Sequence, residues 1–303
     1  MSVPEPNFNK SAISGKAIDL GQAEILNTSQ RGDGRQQIIK LPCDNRFIIL
    51  KCYGLKRSRL RALIRQFGSF FLVKKSSFTA KGRRETELAV LALWKREGFD
   101  VPDTYEPPLL PENFPYCIVM EWLPGPSMTA FLRDKDVSLD IKKQVVKRYA
   151  KAWGERHARA IELTEPRLLQ ENPTLAHVFV SGDRLVHIDF EIVFTWKKDL
   201  ARLVRREIVG ILDSMAKSGG DIFPSLLETL LETYPDLSHF RLAAEELLRY
   251  GTVPEVGWSA PLHLLTRGKK RYRKRRYFID TLNTALKNRS AQVPQCEKPM
   301  DKK

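Results

Sequence analysis

Apolar residues in the first third of the chain come in short runs parted by turn residues. AEILN (Ala23–Asn27), QQIIKL after RGDG (Arg31–Gly34), and RFIILKCY after PCDN follow one another at hairpin spacing. That rhythm predicts three antiparallel strands. The period then changes. In KGRRETELAVLALWKRE (Lys81–Glu97), Leu88, Leu91 and Trp94 share one helical stripe, and Gly98 is placed to close the helix. PYCIVMEWL (Pro115–Leu123) reads as a further strand running into a Pro-Gly connector. Beyond it the pattern is mostly helical: Met128–Arg133, Ile141–Glu162, a helix after Lys198 with Asp199 placed to serve its free N–H groups, then IFPSLLETLLETY and SHFRLAAEELLRYG. One stretch interrupts the series. LLQENPTLAHVFV, the turn Ser181-Gly182-Asp183 and RLVHIDFE read as a loop and a tight hairpin.

The expected class is therefore α+β. Residues 23–123 form a small antiparallel sheet plus one helix, residues 124–287 a mostly helical part, with 1–22 as an N-terminal extension and the polar 288–303 as a disordered tail. A chain of 303 residues, 42% of them hydrophobic, can bury one large core or two modest lobes. No apolar stretch has signal-peptide or membrane-span length, so a soluble or peripheral protein is expected. Cys43, Cys52, Cys117 and Cys296 form no CxxC, zinc spacing or secreted-domain framework, which suits a reducing, cytoplasmic setting.

Charge changes this picture. The net charge is +15, and RGKKRYRKRR (267–276) holds eight basic residues in ten, with a second basic run at 56–65. Such runs are either solvated helix faces or attractors of polyanions such as anionic lipid, phosphorylated glycolipid or nucleic acid. Tyr272 is the only aromatic residue within the run at 267–276, which disfavours nucleic acid.

Several polar residues stand where apolar ones are expected. Lys51 interrupts the run FIILKCY, either snorkelling to an edge or gripping phosphates with an acid from a nearby helix. Glu87 lies on the buried stripe of the following helix and is the favoured partner; Glu85, rotated away, is the reserve. Asp189 comes directly after a strand, with His177 twelve residues before it and Asn172 five before that. His177 reads as a site group or as a buried histidine bonded to main chain. His157 reads as a core histidine. Gly32 and Gly34 serve a hairpin turn, or offer bare N–H groups to a phosphate.

In this order the parts resemble the kinase-like superfamily, and most closely the lipopolysaccharide core kinases that phosphorylate Kdo or heptose. The resemblance rests on Gly32-Asp33-Gly34, FIILKCY, the Glu87 helix followed by FDVP, MEWLPG, AHVFV, HIDFE and KDLARL, and covers roughly residues 23–215. It implies a bilobal protein-kinase-like fold and ATP-dependent phosphoryl transfer to a hydroxyl, on a sugar of the lipopolysaccharide inner core. Lys51, tied to Glu87, would position the α- and β-phosphates, and the Gly32–Gly34 turn would cover them. Main-chain groups of Glu121 and Leu123 would take the adenine. Asp189 would hold magnesium with His177, or His177 would orient Asp189. The family's aspartate that faces the acceptor is Asn172 here, and an amide accepts no proton, so Glu171 beside it is the substitute. The implied partner is an anionic glycolipid, with the basic runs at 56–65 and 267–276 meeting the inner face of the cytoplasmic membrane. A catalytically impaired pseudokinase that binds nucleotide or anionic lipid as a regulator is the alternative.

Overall fold

Strands β1 (Glu24–Ser29), β2 (Gln36–Cys43), β3 (Arg46–Cys52), β4 (Thr104–Tyr105) and β5 (Cys117–Glu121) form one antiparallel sheet in the order β1-β2-β3-β5-β4. The structure, a computed structural model, describes residues 23–29, 36–43, 46–54, 79–106, 116–195, 197, 199–250 and 268–292. Gly32, Gly34 and the basic run at 56–65 lie outside these residues. From Ile48 to Cys52, β3 is buried at every position. Its period of two sends Ile49 and Lys51 toward the helices, and Ile48, Leu50 and Cys52 into a smaller cluster with Leu41, Tyr105 and Val119. Burial on both faces is why the strand reads as an unbroken apolar run in which one lysine stands out.

Helix α1 (Ala80–Arg96) opens on Thr79, whose hydroxyl accepts from the Gly82 N–H at 3.1 Å, and ends at Gly98 in the left-handed conformation, φ 83°. Its stripe of Leu88, Leu91 and Trp94 is buried, and the Trp94 indole donates to the Arg167 carbonyl at 2.9 Å. The helical part comprises α2 (Met128–Arg133), α3 (Leu139–Glu162), α4 (Leu200–Gly219), α5 (Phe223–Thr233), α6 (Ser238–Tyr250) and α7 (Gly268–Gln292), with the hairpin β6 (Val178–Ser181) and β7 (Arg184–His187). One hydrophobic cluster runs from Ile49 and Trp94 through α3 and α4 to Leu286, so the sheet and the helices share a core. No helix among the described residues is long and apolar enough to cross a membrane.

Three expectations change. Cys52 and Cys117 are 65 residues apart in sequence but are register partners across β3 and β5, and they form a disulfide. Residues 288–292, expected as tail, continue α7, because Leu282 and Leu286 anchor it and Arg289 pairs with Glu232 at 3.1 Å. Asp199 sits at the N-cap of α4 but makes no side-chain cap: its backbone is left-handed, φ 70°, and its carboxylate meets Arg202 at 3.2 Å.

The Pro-Gly connector is fitted rather than loose. A Cβ on Gly125 would overlap the Val180 carbonyl, and the Val180 N–H donates to Pro126 at 2.9 Å. Glycine is there for close approach of two backbones.

Candidate active site

β3 delivers Lys51 to α1, where Glu87 lies on the buried stripe. The ammonium is 2.9 and 2.7 Å from the two Glu87 oxygens, and the residues are 4% and 1% exposed. Tyr53, two positions along from Lys51 and on the same side, also donates to Glu87. Glu85 faces solvent and pairs loosely with Lys81 at 3.8 Å. Lys51 reaches a second carboxylate as well, Asp189 Oδ1 at 3.2 Å. Burial favours a neutral amine, but Glu87 and Asp189 outweigh it and raise the lysine above its ordinary pKa, so it stays charged.

Asp189 follows β7 in a left-handed conformation, φ 70°, which strains any residue with a Cβ. The Ile188 N–H donates to the His177 carbonyl at 2.9 Å, fixing the end of the hairpin. The His177 ring lies 3.3 Å from the second Asp189 oxygen. Burial would raise the Asp189 carboxyl, but Lys51 and His177 beside it hold it below the usual carboxylate range.

A third acid was missed by the sequence reading. Glu191, two residues past Asp189 in HIDFE, lines the same cleft and lies 3.1 Å from buried Arg83 of α1. Burial, against the pull of Lys51 but reinforced by Asp189 and Glu87, pushes its pKa from the ordinary 4.5 up to about 7. A folded-state value above the unfolded one favours folding most below pH 4.5, and that contribution fades as pH rises to about 7. The native protein is therefore expected to lose stability relative to Glu191→Gln across this window, at up to ~1 kcal/mol per pH unit. Denaturation midpoints of both proteins between these pH values check this, and parallel profiles would refute the raised pKa.

These groups open into a cleft of about 560 Å³, within the usual range for a small-molecule site. Ile38, Ile49, Met120, Trp122 and Leu123 form an apolar wall, and Lys51, His177, Asp189 and Glu191 lie on its lining. Glu121 is at the same edge. Its N–H donates to the Asp103 carbonyl at 2.8 Å and its carboxylate accepts from Arg184 at 2.8 and 3.3 Å, so that N–H is not open to a ligand.

Asn172 and Glu171 do not line the cleft; Asn172 is exposed and Glu171 partly so. The cause is one face of α4. Glu207 accepts from the Gln170 N–H at 3.0 Å, Gly210 leaves room for Pro173, and the Ser214 hydroxyl accepts from the Leu175 N–H at 3.0 Å. Those three residues fasten both ends of the loop to the helix, with 171 and 172 between them. His157 is a core histidine, its Nδ1 2.6 Å from the Tyr234 hydroxyl.

Among the described residues no three His, Cys, Asp or Glu side chains converge as a closed metal cage. Magnesium in nucleotide sites needs none, since it keeps waters and takes one or two carboxylates together with phosphate oxygens. Asp189 and Glu191 fit that donor set. His177 does not, because imidazole suits so hard an ion poorly, and here it faces Asp189. Among known proteins, no family model matches the chain and no curated protein matches it.

Proposed function

We propose that this chain is an ATP-dependent phosphotransferase of kinase-like, bilobal build that acts on a hydroxyl. The observation that carries the reading is Lys51, held at 2.7 Å by Glu87 and at 3.2 Å by Asp189 on the wall of a ligand-sized cleft. Burying charges costs several kcal/mol per ion, so a lysine and two acids gathered at a cleft rather than replaced by apolar residues point to use.

In this reading the Lys51 ammonium grips the α- and β-phosphates, and the apolar wall by Met120 and Leu123 takes the base. Asp189 and Glu191 hold magnesium, which when bound neutralises charge on the phosphate oxygens. His177 keeps Asp189 aimed. The acceptor oxygen forms its bond to the γ-phosphorus as the bond to the β,γ-bridging oxygen breaks, and ADP leaves with that electron pair. The acceptor's proton passes to the transferred phosphoryl oxygens or to water, since the Asn172 amide cannot take it. A sugar hydroxyl of an anionic glycolipid such as a lipopolysaccharide precursor is the acceptor that suits a net charge of +15. Work at the inner face of the cytoplasmic membrane follows from that substrate.

The exposed Asn172 favours a second reading, a nucleotide-binding regulator without turnover. Magnesium-dependent ADP release and nucleotide binding, each measured with and without core glycolipid, separate the two. Phosphorylated glycolipid formed in step with ADP is expected. Nucleotide binding without turnover leaves the regulator, and absence of nucleotide binding overturns both.

A further inference from the structure

Helix α1 meets the segment from His187 to Glu191 at three levels. The Trp94 ring packs on those of His187 and Phe190, with centroids 5.2 and 4.6 Å apart. Glu87 reaches Asp189 through Lys51. Arg83, one turn before Glu87, meets Glu191 at 3.1 Å. Packing explains the first level and the cleft the second; Arg83 is unfavourably placed by every ordinary measure. It is 6% exposed, and its Nε and Nη2 are buried without a hydrogen-bond partner. Its cation lies in the first turn of α1, where the helix dipole favours anions. The Tyr53 ring at 5.5 Å offsets little of this, since Lys51 lies equally close to it. Glu191 is the acid that Arg83 pairs with among the described residues. The need is on the side of Glu191. Asp189 is fixed by its own backbone, by Lys51 and by His177, whereas a glutamate has one more rotatable bond and here meets a buried guanidinium.

We propose that Arg83 is a positioning residue that holds the Glu191 carboxylate in the cleft, ready for a divalent cation; the proposal rests on Asp189 and Glu191 being the magnesium acids of the phosphotransferase reading. Arg83 does not line the cleft, so it acts through Glu191 and touches neither nucleotide nor metal. A carboxylate ordered beforehand loses no rotamer freedom when the metal arrives. Groups that orient metal ligands from behind are worth about 10- to 100-fold in metal affinity. The charge of Arg83 by itself repels a cation at Glu191. A fall in metal affinity on removing that charge therefore reports orientation, and a rise reports repulsion alone.

Calorimetric binding of the non-hydrolysable ATP analogue adenylyl imidodiphosphate to the full chain, in magnesium and in EDTA, tests this without turnover. Arg83→Met is expected to weaken the magnesium-supported binding about 10-fold or more and to leave binding in EDTA unchanged. Mere disturbance of the fold would weaken both. Glu191→Gln is expected to weaken magnesium-supported binding at least as much, and adding Arg83→Met to it should cost nothing further, because no carboxylate is left to orient. Arg83→Lys keeps a cation within reach of Glu191 but loses the planar fork, so it should fall between native and Arg83→Met. Where Arg83→Met does not fold, Arg83→Lys alone and in the Glu191→Gln background makes the same comparison. Unchanged or tighter magnesium-supported binding in the Arg83 variant overturns the proposal, as do additive losses in the double variant. Those results leave the metal acids standing. Native binding that ignores magnesium, or that Glu191→Gln leaves unchanged, overturns the metal reading itself and the role of Arg83 with it.

Discussion

Asp189→Asn is expected to lower glycolipid-dependent ADP release by about 10³-fold or more, with the fold unchanged. The substitution keeps the size of the side chain and removes its charge. That charge meets Lys51 at 3.2 Å and is one of two carboxylates that fit magnesium. Charge stabilisation by a bound metal amounts to several kcal/mol, and each ~1.4 kcal/mol is tenfold in rate. The side chain is 28% exposed, so an amide there strands no buried ion and thermal melting should stay near native. Lys51→Met is the harsher comparison: it leaves Glu87 buried without its cation, and such breakage costs about 3 to 5 kcal/mol. Loss of rate in that variant would mix folding with chemistry. Near-native turnover in Asp189→Asn would remove this carboxylate from the mechanism and the phosphotransferase reading with it.

Lys51 and Glu87 were legible in the sequence because each breaks an apolar pattern that burial makes strict. A strand covered on both faces has no ordinary place for an ammonium, and a helix stripe separates Glu87 from Glu85 by rotation alone. Glu207 carries the same signal, an acid between Val204 and Ile208 on a buried stripe, but nothing nearby in sequence hints at its partners, Arg156 and Gln170. The Cys52–Cys117 pair needed the sheet order, since β5 reaches β3 only after α1 and β4 have intervened. Glu191 needed the hairpin and α1 together, because only Arg83 and the cleft wall set it apart from a surface acid. The start of α7 hid itself: basic residues on every face erase the period that marks a helix, and only Phe278 to Leu286 restore it. Asp199 shows the limit of residue preference, since a left-handed backbone turned a favoured capping residue toward Arg202.

Glu207→Ala should be the most destabilising single change in the helical part, by about 3 to 5 kcal/mol. Its carboxylate is fully buried and accepts from the Arg156 guanidinium, the Trp153 indole at 3.1 Å and the Gln170 N–H at 3.0 Å. Burial alone would raise this acid, but Arg156 and His157 outweigh it and hold it well below the carboxylate range, so it is charged in the folded protein. Removing it strands a guanidinium that is 1% exposed and leaves donors on two elements without an acceptor. It also frees Gln170, hence one end of the segment that runs on to His177, which keeps Asp189 aimed, so turnover is expected to fall even where the protein remains folded. Urea denaturation of Glu207→Ala and of Glu207→Leu with Arg156→Met separates the causes. The double variant removes the stranded charge, and replacing a buried pair by apolar residues is often close to neutral. It should therefore recover part of the lost stability but not the turnover, because Gln170 still lacks its anchor. Equal destabilisation of both would assign the loss to packing, since Arg156 also lies over the Trp94 ring at 4.4 Å.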